Sequence, residues 1–299
     1  MNYTIHQLQV FLKVVEYQSV TKASEELFMT QPAASIQLKK FQEQFKIPLT
    51  EVVGKKLSVT EFGLKIAEIA KRVMLEIENI TYETEAFQGL LTGKLTISSA
   101  STGKYVIPYF LSAFMENNPG IDLVLDVTNK TKVIESLRNN EIDFAMVSTV
   151  PEGLEVNEEI LLENRLYLVS NSPTLDKSKP LIYREEGSAT RKAMERFYST
   201  EDKNFRKKIE LTSNEAVKQA VIAGLGNSIM PLIGIHNELE SGQLFIIDSK
   251  GLPIKTEWRL VWLKNKRLSP LTQSFLEYIR DSKSTIYEKY FQWYFNTAE

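Results

Sequence analysis

Hydrophobic residues near the start of the chain fall at helical spacing. Ile5, Leu8, Phe11, Leu12 and Val15 share one face, which predicts an amphipathic helix. The stretch "SVTKASEELF" predicts a second helix, capped by Ser19 or Thr21, with Ala23 and Leu27 on one side. Between residues 60 and 91 the pattern lengthens. Phe62, Ile66, Ile69, Val73, Ile77, Ile80, Thr84, Phe87 and Leu91 recur every three or four positions. At about 1.5 Å per residue such a helix is roughly 45 Å long. A small core does not need so long a stripe, so it predicts a dimer seam or an interdomain strut.

From residue 93 the pattern alternates. "KLTISSAS", "IDLVLDV", "DFAMVST", "RLYLVSN", "PLIYRE" and "NSIMPL" read as strands. Residues 104–118, 131–139, 189–199 and 214–224 read as helices between them. This alternation predicts an α/β domain with mostly parallel sheets. Two such runs, with "LLENRLYLVSN" between them, predict two lobes. No internal repeat and no low-complexity tract interrupts them.

Composition then excludes several classes of function. A chain of 299 residues suggests about two domains, and a net charge of -2 gives no whole-chain attraction to nucleic acid or membrane. There is no cysteine, hence no disulfide, thiol nucleophile or thiolate zinc site. The first segment lacks the basic start of a signal peptide, and no apolar run reaches the roughly 18 residues that span a bilayer. The expected location is the cytoplasm. His6 and His236 are isolated, and no serine sits in a Gly-x-Ser-x-Gly elbow. "GLG" at 224–226 follows a helix and precedes a strand, the reverse of a dinucleotide fingerprint, so it reads as a helix cap. No metal, no cofactor and no enzymatic activity are expected.

The chemistry concentrates in "TQPAASIQLKKF", residues 30–41. Thr30 is a good N-cap and Pro32 suits a first helical turn. Ala33, Ala34 and Ser35 have little bulk, so this helix end can approach another surface closely. Gln31, Ser35 and Gln37 offer hydrogen bonds, and Lys39 and Lys40 suit phosphates. "ASEELFMTQP" supplies the preceding helix and a short turn, the spacing of a helix-turn-helix. An ordinary capped helix with a solvated basic face fits residues 30–41 taken alone equally well.

Their surroundings decide. Residues 1–63 resemble the N-terminal domain of LysR-type transcriptional regulators. The matching residues are Ser19-Val20-Thr21-Lys22-Ala23-Ser24, Thr30-Gln31-Pro32-Ala33-Ala34-Ser35, Phe41-Gln42, Pro48-Leu49 and Val59-Thr60-Glu61-Phe62-Gly63. "GKLTISSASTGKYVIPYFLSAFMENNPGIDLVL", "LRNNEIDFAMV", "REEGSATR" and "SNEAVKQAVIAGLGNSIMP" extend the resemblance over nearly the whole chain. The wording is closest to the branch regulating carbon-fixation and sulfur-assimilation operons. The resemblance implies a winged helix-turn-helix over residues 1–60, a linker and dimerisation helix over 61–92, and an effector-binding domain over 93–299. That domain resembles periplasmic solute-binding proteins, with lobe I at about 93–163 and 267–299 and lobe II at about 164–266. DNA contacts are expected from Thr21, Thr30, Gln31, Pro32, Ser35, Gln37, Lys39, Lys40, Lys55 and Lys56. The implied partners are a partly palindromic double-stranded promoter site, a small anionic effector and further copies of the chain, as a homodimer and a homotetramer.

The chain departs from the family pattern at Thr50, where phenylalanine is usual after Pro48-Leu49, and at Val52, where many members are basic. Residues 1–65 hold eight lysines, six glutamates and no arginine, so an arginine fork on guanine is not an option there. The chain also runs on with "DSKSTIYEKYFQWYFNTAE", where Tyr287, Tyr290, Phe291, Trp293 and Tyr294 suggest an extra packed helix or an exposed interaction face.

In the second half, hydroxyls cluster at strand ends, where open α/β sheets collect ligands. Ser99, Ser101 and Thr102, Thr128 and Asn129, and Ser148 and Thr149 are three such groups. Ser188, Thr190 and Arg191 mark another helix start, whose free N–H groups favour anions. Singly each hydroxyl reads as a cap or turn residue. Together with Arg191 they predict an anion pocket between the lobes. The competing function is a cytoplasmic two-lobed solute-binding protein or enzyme that uses its N-terminal part for dimerisation. The missing signal peptide and the missing acid-base or nucleophile set weigh against it.

Overall fold

The protein is described by a computed structural model over residues 2–54, 56–87, 91–199 and 207–296. It divides into two compact units, Met1–Gln88 and Gly89–Glu299.

The first unit begins with α1 (Ile5–Tyr17), closed by a capping box between Thr4 and Gln7. Next come α2 (Val20–Glu26), capped by Ser19, and α3 (Gln31–Gln42), capped by Thr30. Val10, Phe11, Val14, Ala23, Ala34, Leu38, Phe41, Leu49 and Ala67 form one buried cluster that locks these helices together. A hairpin follows, β1 (Thr50–Val53) antiparallel to β2 (Lys56–Val59). The departure from the family pattern at Thr50 has a partner in Gln42. The Gln42 side-chain oxygen accepts the Thr50 N–H at 3.1 Å and the Thr50 hydroxyl at 2.7 Å. Glutamine and threonine together thus tie the end of α3 to the wing, at the position where the pattern has phenylalanine.

Thr60 then caps α4 (Glu61–Phe87), accepting the Gly63 N–H at 2.9 Å and donating to the Pro48 carbonyl at 2.7 Å. Gly63 is required by close approach, because a Cβ there would lie 2.0 Å from the Leu49 carbonyl oxygen. Ala67 and Ala70 turn inward, whereas Ile69, Val73 and Ile80 are exposed at 48%, 41% and 67%. The middle of the apolar stripe is therefore exposed among the described residues. Leu91 lies beyond the helix, and the Phe87 side chain falls outside the described residues, as does Lys55.

In the second unit, β3 (Gly93–Ala100) runs parallel to β4 (Ile121–Thr128) and to β5 (Phe144–Val147). Helices α5 (Ile107–Asn117) and α6 (Lys130–Arg138) make the crossovers. The long β6 (Val156–Ser170) leaves this lobe, and β7 (Leu181–Arg184) pairs parallel with β8 (Lys208–Leu211) in the other, with α7 (Ala189–Ser199) and α8 (Asn214–Ile222) beside them. After β9 (Ser228–Pro231), α9 (His236–Glu240) and the short β10 (Phe245–Ile246), the long β11 (Ile254–Leu263) returns. Strands β9, β10 and β11 all pair antiparallel to β6, so the main sheet is mixed where the sequence suggested mostly parallel pairing. Residues 259–261 of β11 already pair with β5, which puts the return crossing at the Trp258/Arg259 irregularity. That is several residues before the 266/267 boundary expected from the sequence.

Chain order therefore brings α10 (Pro270–Ile286), a wide turn and α11 (Gln292–Asn296) back onto lobe I. Phe291 and Tyr294 are buried at 1% and 0%. The Tyr294 hydroxyl accepts the Arg165 N–H at 2.8 Å, and burial pushes its pKa above the usual tyrosine range. Most of the aromatic extension is packing, not an open face. Among the described residues no helix is long and apolar enough to cross a membrane.

Candidate DNA-reading face and interlobe cleft

The turn between α2 and α3 is tight. The Phe28 N–H reaches the Glu25 carbonyl at 3.1 Å and the Met29 N–H the Ser24 carbonyl at 2.8 Å. Phe28 takes φ 52 and its side chain is 98% exposed. A β-carbon-bearing residue in that region is uncommon, and a large apolar ring so exposed has no packing role within the chain. Sequence reading missed Phe28, because an aromatic residue in "EELFMT" looks like core.

Helix α3 presents two faces. Ala34, Leu38 and Phe41 point into the core, while Gln31, Pro32, Ser35, Lys39 and Lys40 are exposed and Gln37 is half-buried. Thr21 is exposed at the start of α2, and Lys56 is exposed on the wing. Thr30 uses its hydroxyl on the Ala33 N–H. Lys39 stands 4.0 Å from Glu43, an exposed pair that leaves its charge open to a phosphate. Small residues at the N-terminal end and lysines in the last turn thus share one solvent-facing side.

The second site lies where strand ends meet in the effector unit. The β3–β4 register pairs Ala100 with Thr128, and the β3–β5 register pairs Ser99 with Met146. Ser101 and Thr102, Thr128 and Asn129, and Ser148 and Thr149 therefore line one C-terminal sheet edge. Arg184 and Ser188 follow the same end of β7, and Asn214 follows β8.

Several expected ligands are used internally. Ser99 is fully buried and its hydroxyl donates to the Ala100 carbonyl, with Gly103 packed directly over it. Asn129 caps α6 by accepting the Lys132 N–H at 3.0 Å. Ser188 accepts the Arg191 N–H at 3.4 Å. Thr102, Ser148 and Thr190 are buried, and Thr128 is half-buried.

Arg191 is the main correction. Its guanidinium holds Glu195 at 2.8 Å and Glu210 at 2.5 Å, which keeps its pKa raised, and it donates to the Arg184 carbonyl at 3.0 Å. Both carboxylates belong to its own lobe, so the charge is spent there. Arg184, not Arg191, is the arginine that reaches across to lobe I. It is 4% exposed, forks onto Glu185 with two 2.8 Å bonds, donates to Asn214, and reaches Ser101 of lobe I at 3.1 Å. Within the loop that follows, Gly187 has φ +85, and a Cβ on it would stand 2.6 Å from the Thr131 hydroxyl of lobe I. The two lobes approach each other closely at both points.

Lys130, at the start of α6, donates to the Thr149 hydroxyl. Its pKa is lowered, first by burial and then by the like charge of Lys192 on α7. Among the described residues neither lysine makes an ion pair with a carboxylate. Each lobe thus contributes a lysine, Lys130 half-buried and Lys192 exposed, and Glu152 offsets only part of the repulsion at Lys130. The signal for Lys130 was present as a lysine directly after an N-cap asparagine, but only the fold brings Lys192 opposite.

Comparison with known proteins now adds to this geometry. The model of the bacterial regulatory helix-turn-helix protein, lysR family, matches residues 5–64, and the LysR substrate binding domain matches residues 88–284. The chain belongs to the LysR family. This LysR-family regulator is 36% identical over 289 residues to the HTH-type transcriptional activator CmpR of Synechocystis sp., covering 93% of this chain and 95% of that one. It is 34% identical over 290 residues to the RuBisCO operon transcriptional regulator of Allochromatium vinosum, covering 93% and 96%. Among solved structures it resembles the regulatory domain of Synechocystis CcmR in complex with 2-PG, at 33% identity and TM-score 0.58 over 64% of this chain and 98% of that one. The LysR-family reading of the sequence, its winged helix-turn-helix with a two-lobed effector domain, and its similarity to carbon-fixation operon regulators all stand. The protein is a transcriptional regulator with an effector-binding domain, and its relatives are named as regulators, not enzymes.

Proposed function

We propose that this regulator, working in the cytoplasm, reads a partly palindromic promoter site as a dimer that assembles into a tetramer, and that a small anionic metabolite in the interlobe cleft switches it. Gln31, Ser35 and Gln37 read base edges in the major groove, with the Phe28 ring against a thymine methyl. Lys39, Lys40 and Lys56 hold phosphates. The exposed stripe of α4 supplies the seam between two chains. Ile69→Glu should break that seam, giving a monomer by sedimentation at low micromolar concentration with an unchanged circular dichroism spectrum.

The observation that carries the anion reading is the pair Lys130 and Lys192. Lys130 is half-buried and Lys192 is exposed; an anion between them relieves the burial of the first and the repulsion between the two. Arg184 adds donors from lobe II and Ser101 and Thr149 add hydroxyls from lobe I. Anion binding then favours one interlobe angle, and only a ligand that discriminates between the two states can switch the protein. A thermal-shift titration tests this, with 2-PG, inorganic phosphate and sulfate against glucose as the neutral control. A ligand confined to the native state raises stability by about 2.7 kcal/mol at a hundredfold excess over Kd. At least one anion should stabilise the wild type and fail on Lys130→Ala. Stabilisation by glucose with none by any anion defeats the anion reading.

A further inference from the structure

Beyond the interlobe cleft, the effector unit holds a second recess, of about 320 Å³, bordered by α5, α8, the turn before α9 and the C-terminal extension. Its walls are aromatic. Trp293 stacks on His236 with ring centroids 3.6 Å apart and planes at 15°. Tyr290 lies against Tyr109 at 5.0 Å, and Tyr105 forms another side. The volume lies in the range of small-molecule sites.

The charges are unequal. Lys218 is held by Glu215 at 3.1 Å and Glu238 at 2.7 Å. Lys104 is exposed, sits 5.0 Å from the centroid of Tyr105, and makes no ion pair among the described residues. Lys104, with no ion pair among the described residues, suits one negative charge on a flat molecule. Glu238, inside the lining, disfavours more than one. This distinguishes the recess from the cleft, where Lys130 and Lys192, neither in an ion pair among the described residues, suit a more highly charged ligand.

We propose that this recess is a second ligand site for a planar aromatic monoanion of one or two rings. The ring lies among Trp293, Tyr105 and Tyr290, and its carboxylate meets Lys104. Occupation ties α5 of lobe I and the C-terminal extension to α8 of lobe II. The 103–105 turn carries Ser101 and Thr102 at its start and Lys104 and Tyr105 at its end, so it borders both sites. A molecule in the recess therefore bears on the same interlobe angle as the cleft ligand.

Trp293 supplies the readout, because Trp258 and Trp262 are buried at 1% and 6%. The full chain is titrated with nicotinate, whose electron-poor ring quenches indole, and with nicotinamide and propionate as neutral and non-aromatic controls. Nicotinate should quench the fluorescence in the millimolar range. Nicotinamide and Lys104→Ala should each weaken binding about tenfold, the usual scale of one charge-assisted contact. Propionate should leave the fluorescence unchanged, and Lys130→Ala should bind nicotinate like the wild type, which separates this site from the cleft. Equal quenching by nicotinamide, insensitivity to Lys104→Ala, or loss in Lys130→Ala overturns the proposal. So does absence of binding at millimolar concentration, the outcome if a second copy of the chain covers the recess.

Discussion

The reading head and the interlobe cleft are built on opposite plans. In the head, a small core faces inward and the functional side chains stand on its outer surface with few partners. In the cleft, functional groups sit between two lobes, and nearly every polar side chain is engaged by another. Local sequence determines a surface helix face, because a helix repeats every 3.6 residues and the cap, small residues and lysines are neighbours in the chain. A cleft is determined by partners far apart in sequence. Arg184 and Ser101 are 83 positions apart, and no periodicity reveals which arginine reaches across.

The sharpest way to break the comparison is through the head's core. Phe41 is 1% exposed and touches the rings of Tyr3, Phe11 and Phe45. Phe41→Ala should cost about 3–5 kcal/mol. Differential scanning calorimetry should show the loss in a transition of the first unit, and anion stabilisation of the second unit should persist. Loss of effector binding in that variant would mean that the two plans are not separable.

Next in size is the reading face itself. Gln31→Ala should lose about 1–3 kcal/mol at the cognate site and little on random DNA, as a base contact does. Lys39→Ala should weaken both DNAs alike and reduce the salt slope by about 0.9. A gel-shift series over salt concentration separates the two. Equal losses on both DNAs for Gln31→Ala would remove its base-reading role.

Legibility follows the same division. The helices over 189–199 and most of the first unit were legible because their patterns are local. So was the N-terminal stripe, although Leu91 left it for the next unit. Strand β11 was not legible. "IKTEWRLVWL" interrupts its apolar residues with lysine, glutamate and arginine, and those charges are satisfied by residues such as Glu158 across the sheet. Phe28 was hidden by its type, since an exposed phenyl ring contradicts the usual rule for burial. Arg191 misled because "SATR" places it at a helix start, where only the fold reveals Glu210 beside it.

The smallest expected effect discriminates most finely between the two arginines and the cleft lysine. Arg191 is paired with Glu195 and Glu210, which are 45% and 55% exposed, so Arg191→Ala should cost no more than about 1 kcal/mol of stability. It should leave the anion response within error of the wild type. Lys130→Ala should abolish that response with no loss of stability, because it removes a charge that folding desolvates beside Lys192. The sign can be checked through pH. A lysine with a lowered folded pKa costs stability while it is protonated in both states. That cost fades as pH rises through the folded pKa toward the unfolded value. Wild-type stability should therefore lie below that of Lys130→Ala at neutral pH and close the gap as the solution is made alkaline. An anion bound between the lysines raises the Lys130 pKa again, so binding should take up protons on the alkaline side. Calorimetry in buffers of different ionisation enthalpy measures that uptake. Proton release, or an uptake that survives in Lys130→Ala, would place the anion away from this lysine and return attention to Arg184.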